Sequence, residues 1–528
     1  MSFQSPIYGL FLLAIWIIYW LTRSPKLQLW ILLIASLVFY ASLQLQYILL
    51  MLVVTLINFR LGRALGANTS LGQKAKNPKI SNQAWQQSLA IWNRRRSQIL
   101  GMGIFLNVLL LVGFKYIPFL LNSLAAPLDF IIRTFQEIGI SLSWIDGAAS
   151  LLKISMTENG NWIGDRLIVP LGLSFFIFEC IAYLIDVYRG APPAKKFLDF
   201  TTYKLFFPKL ISGPITRYHY FAQELTNLHF PTSDRLAEGL WLIACGAVKK
   251  AFLADSLGIF VNLCLSNLER ASSGDLWLAI FAFGLQLYLD FSGYVDIARG
   301  SAILLGFNLP ENFDSPYFST SIADFWRRWH ITLGDWLRNY LYFPLGGSRQ
   351  GLPRTCLNLL LIMLIAGLWH GAAWGYVIWG GLHGIALAIH RLTEALSQQV
   401  RWLKSWWQSW LGVLMAWGLT QSMVFVTWIF FRLPNLKQAN LAIQHLWGYN
   451  GDIQFAKKVY EQALGLGRPQ VTLLIVGLAG LMGIVYTFRQ GLKVQLNWPI
   501  KLLLVPLCLF AVWLLAPEGS LPYIYFDF

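Results

Sequence analysis

The chain has 528 residues, 56% hydrophobic and only 12% charged, with a formal charge of +16 and a mean hydropathy of +0.54. This is about half the charge content of a soluble globular chain, which excludes a water-soluble body and makes lipid the solvent to reason in. The positive balance does not indicate nucleic acid: the basic residues lie in short loops between apolar runs rather than on one stripe or module, so the partner they imply is the lipid bilayer.

The first apolar run, 7–22, has no charge before it and is followed by Arg23 and Lys26. That is the reverse of a signal peptide, and the run reads as a retained span. Between Lys26 and Arg60 lie 33 uncharged residues, enough for two short spans. Further apolar segments cover 97–114 (continuing past Lys115), 167–185, 236–263, 276–306, 355–390, 405–431, 469–488 and 502–516. With 355–390 divided in two, the length rule gives about 11–12 crossings. The fold class is therefore an all-α integral membrane protein, with interfacial or re-entrant helices in addition and 200–235 as the re-entrant candidate. The 24 Trp and 21 Tyr residues suit headgroup anchors at many span ends.

Loop charge sets the orientation. The 60–98 loop carries Arg60, Arg63, Lys74, Lys76, Lys79, Arg94, Arg95 and Arg96 and no acid, so it is expected in the cytoplasm. The 122–166 loop holds Asp129, Glu137, Asp146, Glu158 and Asp165 against three bases, as an outside loop does. Counting back from the C-terminus puts 489–501, 391–404 and 323–354 inside and 432–468 outside, and both termini outside. Five cysteines are scattered singly in or beside apolar segments, without metal-ligand or disulfide spacing; they read as packing residues, and no metal site is expected. With no internal repeat or soluble module, residues 1–528 read as one polytopic domain.

Ionisable groups within spans cost about 2.5–3.5 kcal/mol each at the centre and are functional candidates by default. His370 is the sharpest, lying near the middle of 36 residues that lack Asp, Glu, Lys and Arg. The glycines around it mark a break between two helices, and its bland alternative is a hydrogen bond that ties the bundle together. His383 reads as packing and His390 as interfacial. In the segment Asp324 to Tyr340, the residues Trp326, Trp329, Leu333 and Trp336 recur at helical spacing, which predicts an amphipathic interfacial helix beside basic residues. Arg327, Arg328 and Arg338 could anchor it to lipid phosphates or hold an anionic donor, with Asp324 and His330 nearby. Asp290 and Asp296 read as ion-pair partners or as groups that orient a histidine. Glu179 is a further intramembrane acid that needs a partner.

Together these segments resemble the membrane-bound O-acyltransferase family, and within it the bacterial alginate O-acetyltransferase and teichoic-acid D-alanyl transfer branch. The resemblance runs over most of the chain, with the motif-bearing core at about 165–395. It is carried by Pro170 to Phe176, Asp186 to Gly190, Phe207 to Ile215, Lys249-Lys250 through Asp255, Asp290 to Asp296, Leu309 to Phe313, Asp324 to His330, Tyr342 to Gly347, Leu368 to Gly371, and the closing Tyr523 to Phe528. By this resemblance His370 takes the family's catalytic-histidine position and His330 that of a second histidine near the centre. Two positions depart from the pattern: Asn339 stands where an acid is expected, and Glu179-Cys180 replaces a Gln-containing pair. Both bear on substrate identity more than on reaction class.

The resemblance implies acetyl transfer from acetyl-CoA or another acyl thioester, without a bound cofactor, to a polysaccharide or other hydroxyl acceptor. Transfer is direct or through periplasmic acetylation partner proteins at the bacterial inner membrane. A thioester is already activated, so the protein need only deprotonate a hydroxyl and aim it at the carbonyl. An imidazole in apolar surroundings stays neutral and available as a base. His370 is then the expected base, His330 orients or stabilises the reacting groups, and the donor-side candidates are Arg327, Arg328, Arg338, Asp324, Asp290, Asp296 and Asn339. Donor from the cytosol and acceptor from outside would meet in a central tunnel. A transporter with an intramembrane His/Asp relay, which would show flux without acyl transfer, and a transfer-inactive scaffold, which would tolerate loss of His370, are the alternatives from other classes.

Overall fold

A computed structural model describes residues 3, 5–66, 82–121, 123–124, 169–491, 496–519 and 521–526. The described residues are helical, and their only β feature is an isolated antiparallel bridge between Phe313 and Trp329. All five acids of the 122–166 loop, and Lys74, Lys76 and Lys79 of the first basic loop, lie outside the described residues.

Each apolar segment picked out by length contains helix among its described residues. The first three helices are Pro6–Leu21, Pro25–Gln44 and Ile48–Gly66. Proline opens the first two, where a missing N–H costs nothing, and a 3-10 turn at Leu45–Tyr47 divides the second from the third. Seven described helical stretches are long and apolar enough to cross a membrane, with Pro25–Gly66 counted as one. The count falls below the expected 11–12 because Pro25–Gly66 is counted once, Pro6–Leu21 and Leu173–Tyr188 have only 16 residues each, the 236–263 segment is interrupted by a π-helical turn at Val248–Ala254, and Trp374–Gln399 is not among the seven. Helices enclosed by other helices need not match the hydrocarbon thickness.

The helices sort by solvent. In Ser273–Leu304, 78% of the span window is buried, against 11% in Arg468–Gly491 and none in Trp498–Leu515. The last two present apolar side chains to lipid, whereas Ser273–Leu304 and Leu173–Tyr188 form the centre of the bundle.

The 200–235 region enters the bundle without a spanning helix. A short helix, Phe197–Leu205, is followed by an irregular stretch, Phe206 to Thr216, that is buried throughout. Irregular backbone at that depth is tolerated only where its polar groups find partners. The N–H of Phe207 donates to Ser36, that of Ser212 to Tyr294, that of Ile215 to Thr332 and that of Thr216 to Glu179.

The helices Leu352–His370 and Trp374–Gln399 form a tight hairpin. A Cβ added at Gly367 would lie 2.2 Å from the Tyr376 carbonyl oxygen, and one at Gly380 would lie 2.2 Å from that of Met363. The two backbones touch because neither position has a side chain.

Candidate active site

His330 sits where the predicted amphipathic helix breaks. Ser321 caps the helix Ile322–Arg328 by accepting from the Asp324 N–H, and the helix ends after seven residues. A second helix, Ile331–Leu337, follows. Between them the backbone pairs with an earlier segment: Asp314 N–H donates to Arg328 O and Ile331 N–H to Asn312 O, both at 3.0 Å. This pairing turns His330 into the left-handed region, with φ +44°. The periodicity of Trp329, Leu333 and Trp336 is therefore a burial pattern rather than a lipid anchor, since all three side chains are enclosed by protein.

The His330 ring is buried. Its Nδ1 lies 3.3 Å from Asn312 Oδ1, and the same oxygen accepts from the Thr332 backbone N–H at 3.0 Å and the Thr332 hydroxyl at 2.9 Å. A backbone N–H can only donate, so the amide atom facing it is oxygen, and His330 Nδ1 must carry the proton. The Nε2 lone pair has no hydrogen-bond partner among the described residues.

His370 ends its helix, and the chain breaks through Gly371 to Ala373 before the next begins, as expected from the glycines. Exposed carbonyls at a helix end need donors. A π-helical turn at Val112–Tyr116 supplies them: Lys115 Nζ donates to Trp369 O at 2.6 Å and His370 O at 3.1 Å, and Tyr116 donates to Leu368 O at 2.5 Å. Neither residue stood out in the sequence; a lysine inside an apolar run was the available signal.

Trp369 and Tyr525 join the two histidines. The Trp369 ring centroid lies 4.8 Å from His370 and 5.9 Å from His330, and Tyr525 lies 5.9 Å and 6.1 Å from the same rings. Tyr525 belongs to the tail after the last span, which runs back into the bundle. Asp290 and Lys250 hold it: Lys250 Nζ is 2.5 Å from Asp290 and 2.8 Å from Asp255 and donates to Pro522 O, while the Ile524 N–H donates to Asp290 at 3.1 Å. The expected ion pair of Asp290 exists, and it anchors the tail beside the histidines.

The other candidates lie further out. Asp296 pairs with Lys249 at 2.6 Å. Asp324 pairs with Arg328 at 2.8 Å, Arg327 is exposed, and Arg338 pairs with Asp335 on the surface. Asn339 donates to Asp335 O and accepts from Arg189 through its backbone carbonyl. The structure gathers His330 and His370 and leaves the arginines 327, 328 and 338 engaged with local acids or with solvent. His383 is a packing residue: Trp326 donates to its Nδ1 at 3.2 Å, so its Nε2–H donates to Thr427 at 3.0 Å. Glu179 has two cationic partners, Lys209 at 2.6 Å and Lys204 at 3.1 Å. Among the described residues no group of three His, Cys, Asp or Glu could hold a metal.

Two cavities abut this cluster through different walls. One, of about 410 Å³, is lined by Thr332 and Trp336 on one side and Arg217 and Tyr340 on the other. The second, of about 330 Å³, is lined by Lys115, Gly371 and Tyr525. Trp336 stacks on Phe178 at 3.8 Å, and Phe178 packs on Trp369 at 5.3 Å, so an aromatic wall separates the first cavity from the histidines.

Seven helical stretches long and apolar enough to cross a membrane, packed around two buried histidines, make this a multi-pass membrane protein with its candidate site inside the bundle. The chain belongs to the membrane-bound O-acyltransferase family, whose model matches residues 150–430. It is 33% identical, across the full length of both chains, to a protein of Pseudomonas putida named as a probable alginate O-acetylase. It is 33% identical to the peptidoglycan O-acetyltransferase of Helicobacter pylori, over 66% of this chain and 64% of that one. It is 27% identical to the teichoic acid D-alanyltransferase of Bacillus subtilis, over 46% of this chain and 63% of that one.

Proposed function

We propose that the protein is an O-acetyltransferase of the bacterial inner membrane that moves acetyl from a cytosolic thioester, such as acetyl-CoA, to hydroxyls of a cell-surface polysaccharide, directly or through periplasmic partner proteins. The observation that carries this reading is the gathering of His330 and His370, both buried, around Trp369 and Tyr525 at the centre of the bundle. The relatives named for O-acetylation of alginate and peptidoglycan support a polysaccharide acceptor. The excess of Lys and Arg in 60–98 and 323–354 supports a cytoplasmic position for those loops and an outside position for both termini. The catalytic portion is the motif-bearing stretch 165–395 within one membrane domain.

The acceptor hydroxyl attacks the thioester carbonyl. His370 takes the hydroxyl proton as the new C–O bond forms, and the imidazolium returns it to the thiolate as the C–S bond breaks. His330, with its proton fixed on Nδ1 by Asn312, presents a lone pair at Nε2 that accepts a hydrogen bond from a neighbouring hydroxyl of the acceptor and so orients the one that attacks. Tyr525 and Trp369 keep water from the thioester by filling the space around both rings.

The test is the O-acetyl content of cell-surface polysaccharide in cells carrying the native protein, His370→Ala or neither, with membrane levels matched. Acetylation is expected to fall to the null level in the variant. Normal acetylation would remove His370 as the base, and equality of native and null would remove the acetyl or the acceptor assignment.

A further inference from the structure

Glu179 lies in the central helix Leu173–Tyr188, and the chemistry described above gives it no part. Its carboxylate is buried and engaged on both oxygens. Oε1 accepts from Lys209 Nζ at 2.6 Å, from the Thr216 N–H at 3.0 Å and from the Thr216 hydroxyl at 2.9 Å, and Oε2 accepts from Lys204 Nζ at 3.1 Å. The second cation is tolerated because Lys204 also donates to the Phe176 carbonyl and lies over the Phe176 ring at 4.0 Å. Tyr203 donates to the Thr216 carbonyl at 2.7 Å, so every polar group of Thr216 is tied down.

Thr216 ends the irregular buried stretch that begins at Phe206, and the bonds continue from there toward the histidines. The Ile215 N–H donates to the Thr332 hydroxyl at 3.1 Å, and that hydroxyl donates to Asn312 Oδ1 at 2.9 Å. A hydroxyl has a single proton. Because the Thr332 oxygen receives the Ile215 N–H, its proton is directed at Asn312 Oδ1, the atom that faces His330 Nδ1 at 3.3 Å. The series runs from Glu179 to the His330 ring through residues that are all buried.

Stability alone does not call for a charged anchor at this place. Apolar side chains of similar volume hold a bundle as well as a buried ion pair does. What the carboxylate adds is direction: the stretch from Phe206 to Thr216 has no helix of its own to orient it, and Glu179 fixes the end that touches Thr332.

We propose that Glu179, clamped by Lys204 and Lys209, is a positioning residue for His330: it sets the Ile215–Thr216 backbone and, through Thr332, holds Asn312 Oδ1 against the imidazole. The effect on turnover rests on the acyl-transfer reading above. The effect on the His330 ring does not.

Both are measured on the full-length protein in nanodiscs. Glu179→Leu/Lys209→Met removes the oxygen that Thr216 uses while keeping the net charge of the cluster, and Glu179→Gln/Lys209→Met returns an oxygen to the same place. Thr332→Val breaks the series beside Asn312 without touching the buried charges, and Thr332→Ser keeps the hydroxyl. With isotope-labelled histidine the ring nitrogens report their tautomer by NMR, and the His330 signal is the one lost in His330→Gln. Native protein is expected to show His330 protonated on Nδ1. Glu179→Leu/Lys209→Met and Thr332→Val are expected to show a mixture of tautomers and a kcat for acetyl transfer lower by about tenfold at unchanged KM, the scale of one lost hydrogen bond. Glu179→Gln/Lys209→Met and Thr332→Ser are expected to keep the native signal and rate. A native His330 signal in Glu179→Leu/Lys209→Met, whatever its thermal stability, would overturn the proposal and leave a structural ion pair; so would equal losses in both members of either pair of variants. The expected tautomer changes in a protein that transfers no acetyl in any form would leave the positioning standing and the acyl-transfer reading alone wrong.

Discussion

His330 and His370 are immobilised in opposite ways. His330 is held by its ring, through Nδ1 on Asn312, and its backbone sits at φ +44°, a conformation that costs a residue with a Cβ roughly 1–2 kcal/mol. His370 is held by its backbone. Lys115 and Tyr116 grip the last carbonyls of its helix, and its imidazole is bounded by Trp379 and Phe431, each at 5.1 Å. A ring-held histidine has its tautomer fixed in advance. A helix-end histidine has its position fixed while the ring is bounded by aromatic faces, which suits a group that gains and loses a proton.

This contrast predicts different failures. Asn312→Leu should lower acetyl transfer by about 10²-fold, a typical share for a proton-handling group, whereas Asn312→Asp, which keeps the acceptor, should retain more. Equal losses in kcat measurements on the two variants would reduce Asn312 to a space-filling role. Lys115→Met should cost about tenfold in kcat with little change in donor KM, since it removes two hydrogen bonds to the helix-end carbonyls, each contributing about 0.5–1.5 kcal/mol. A KM effect alone would place Lys115 in substrate binding instead. Thr427→Val should leave kcat unchanged and destabilise the bundle by about 1–3 kcal/mol, the cost of a buried donor left unmatched. A thermal melt in detergent reads this directly, and a kcat defect would bring His383 into the chemistry. Arg327→Ala, at an exposed position, should change neither quantity measurably.

Much of the bundle was legible because lipid imposes a length rule on helices. The two catalytic candidates were legible because an ionisable side chain stands out near the middle of 36 residues that lack Asp, Glu, Lys and Arg, or beside a Trp-rich stripe. The partners of these histidines were not. Asn312 precedes His330 by 18 positions, Lys115 precedes His370 by 255, and Tyr525 follows it from the far end of the chain. Only the fold brings them together. The misread stripe of Trp329, Leu333 and Trp336 has the same cause: periodicity reports that one face is apolar and cannot tell lipid from protein.

The first helix has 16 residues and the last span 18. At 1.5 Å per residue they reach about 24 and 27 Å, against a hydrocarbon layer of about 30 Å. Both are short for a typical bilayer, and the cheapest adjustment is for lipid to thin around the protein. The two aqueous surfaces then draw closer to each other at this spot than elsewhere in the membrane. On the function proposed above, a donor and an acceptor that keep to their own compartments would have that much less distance to close.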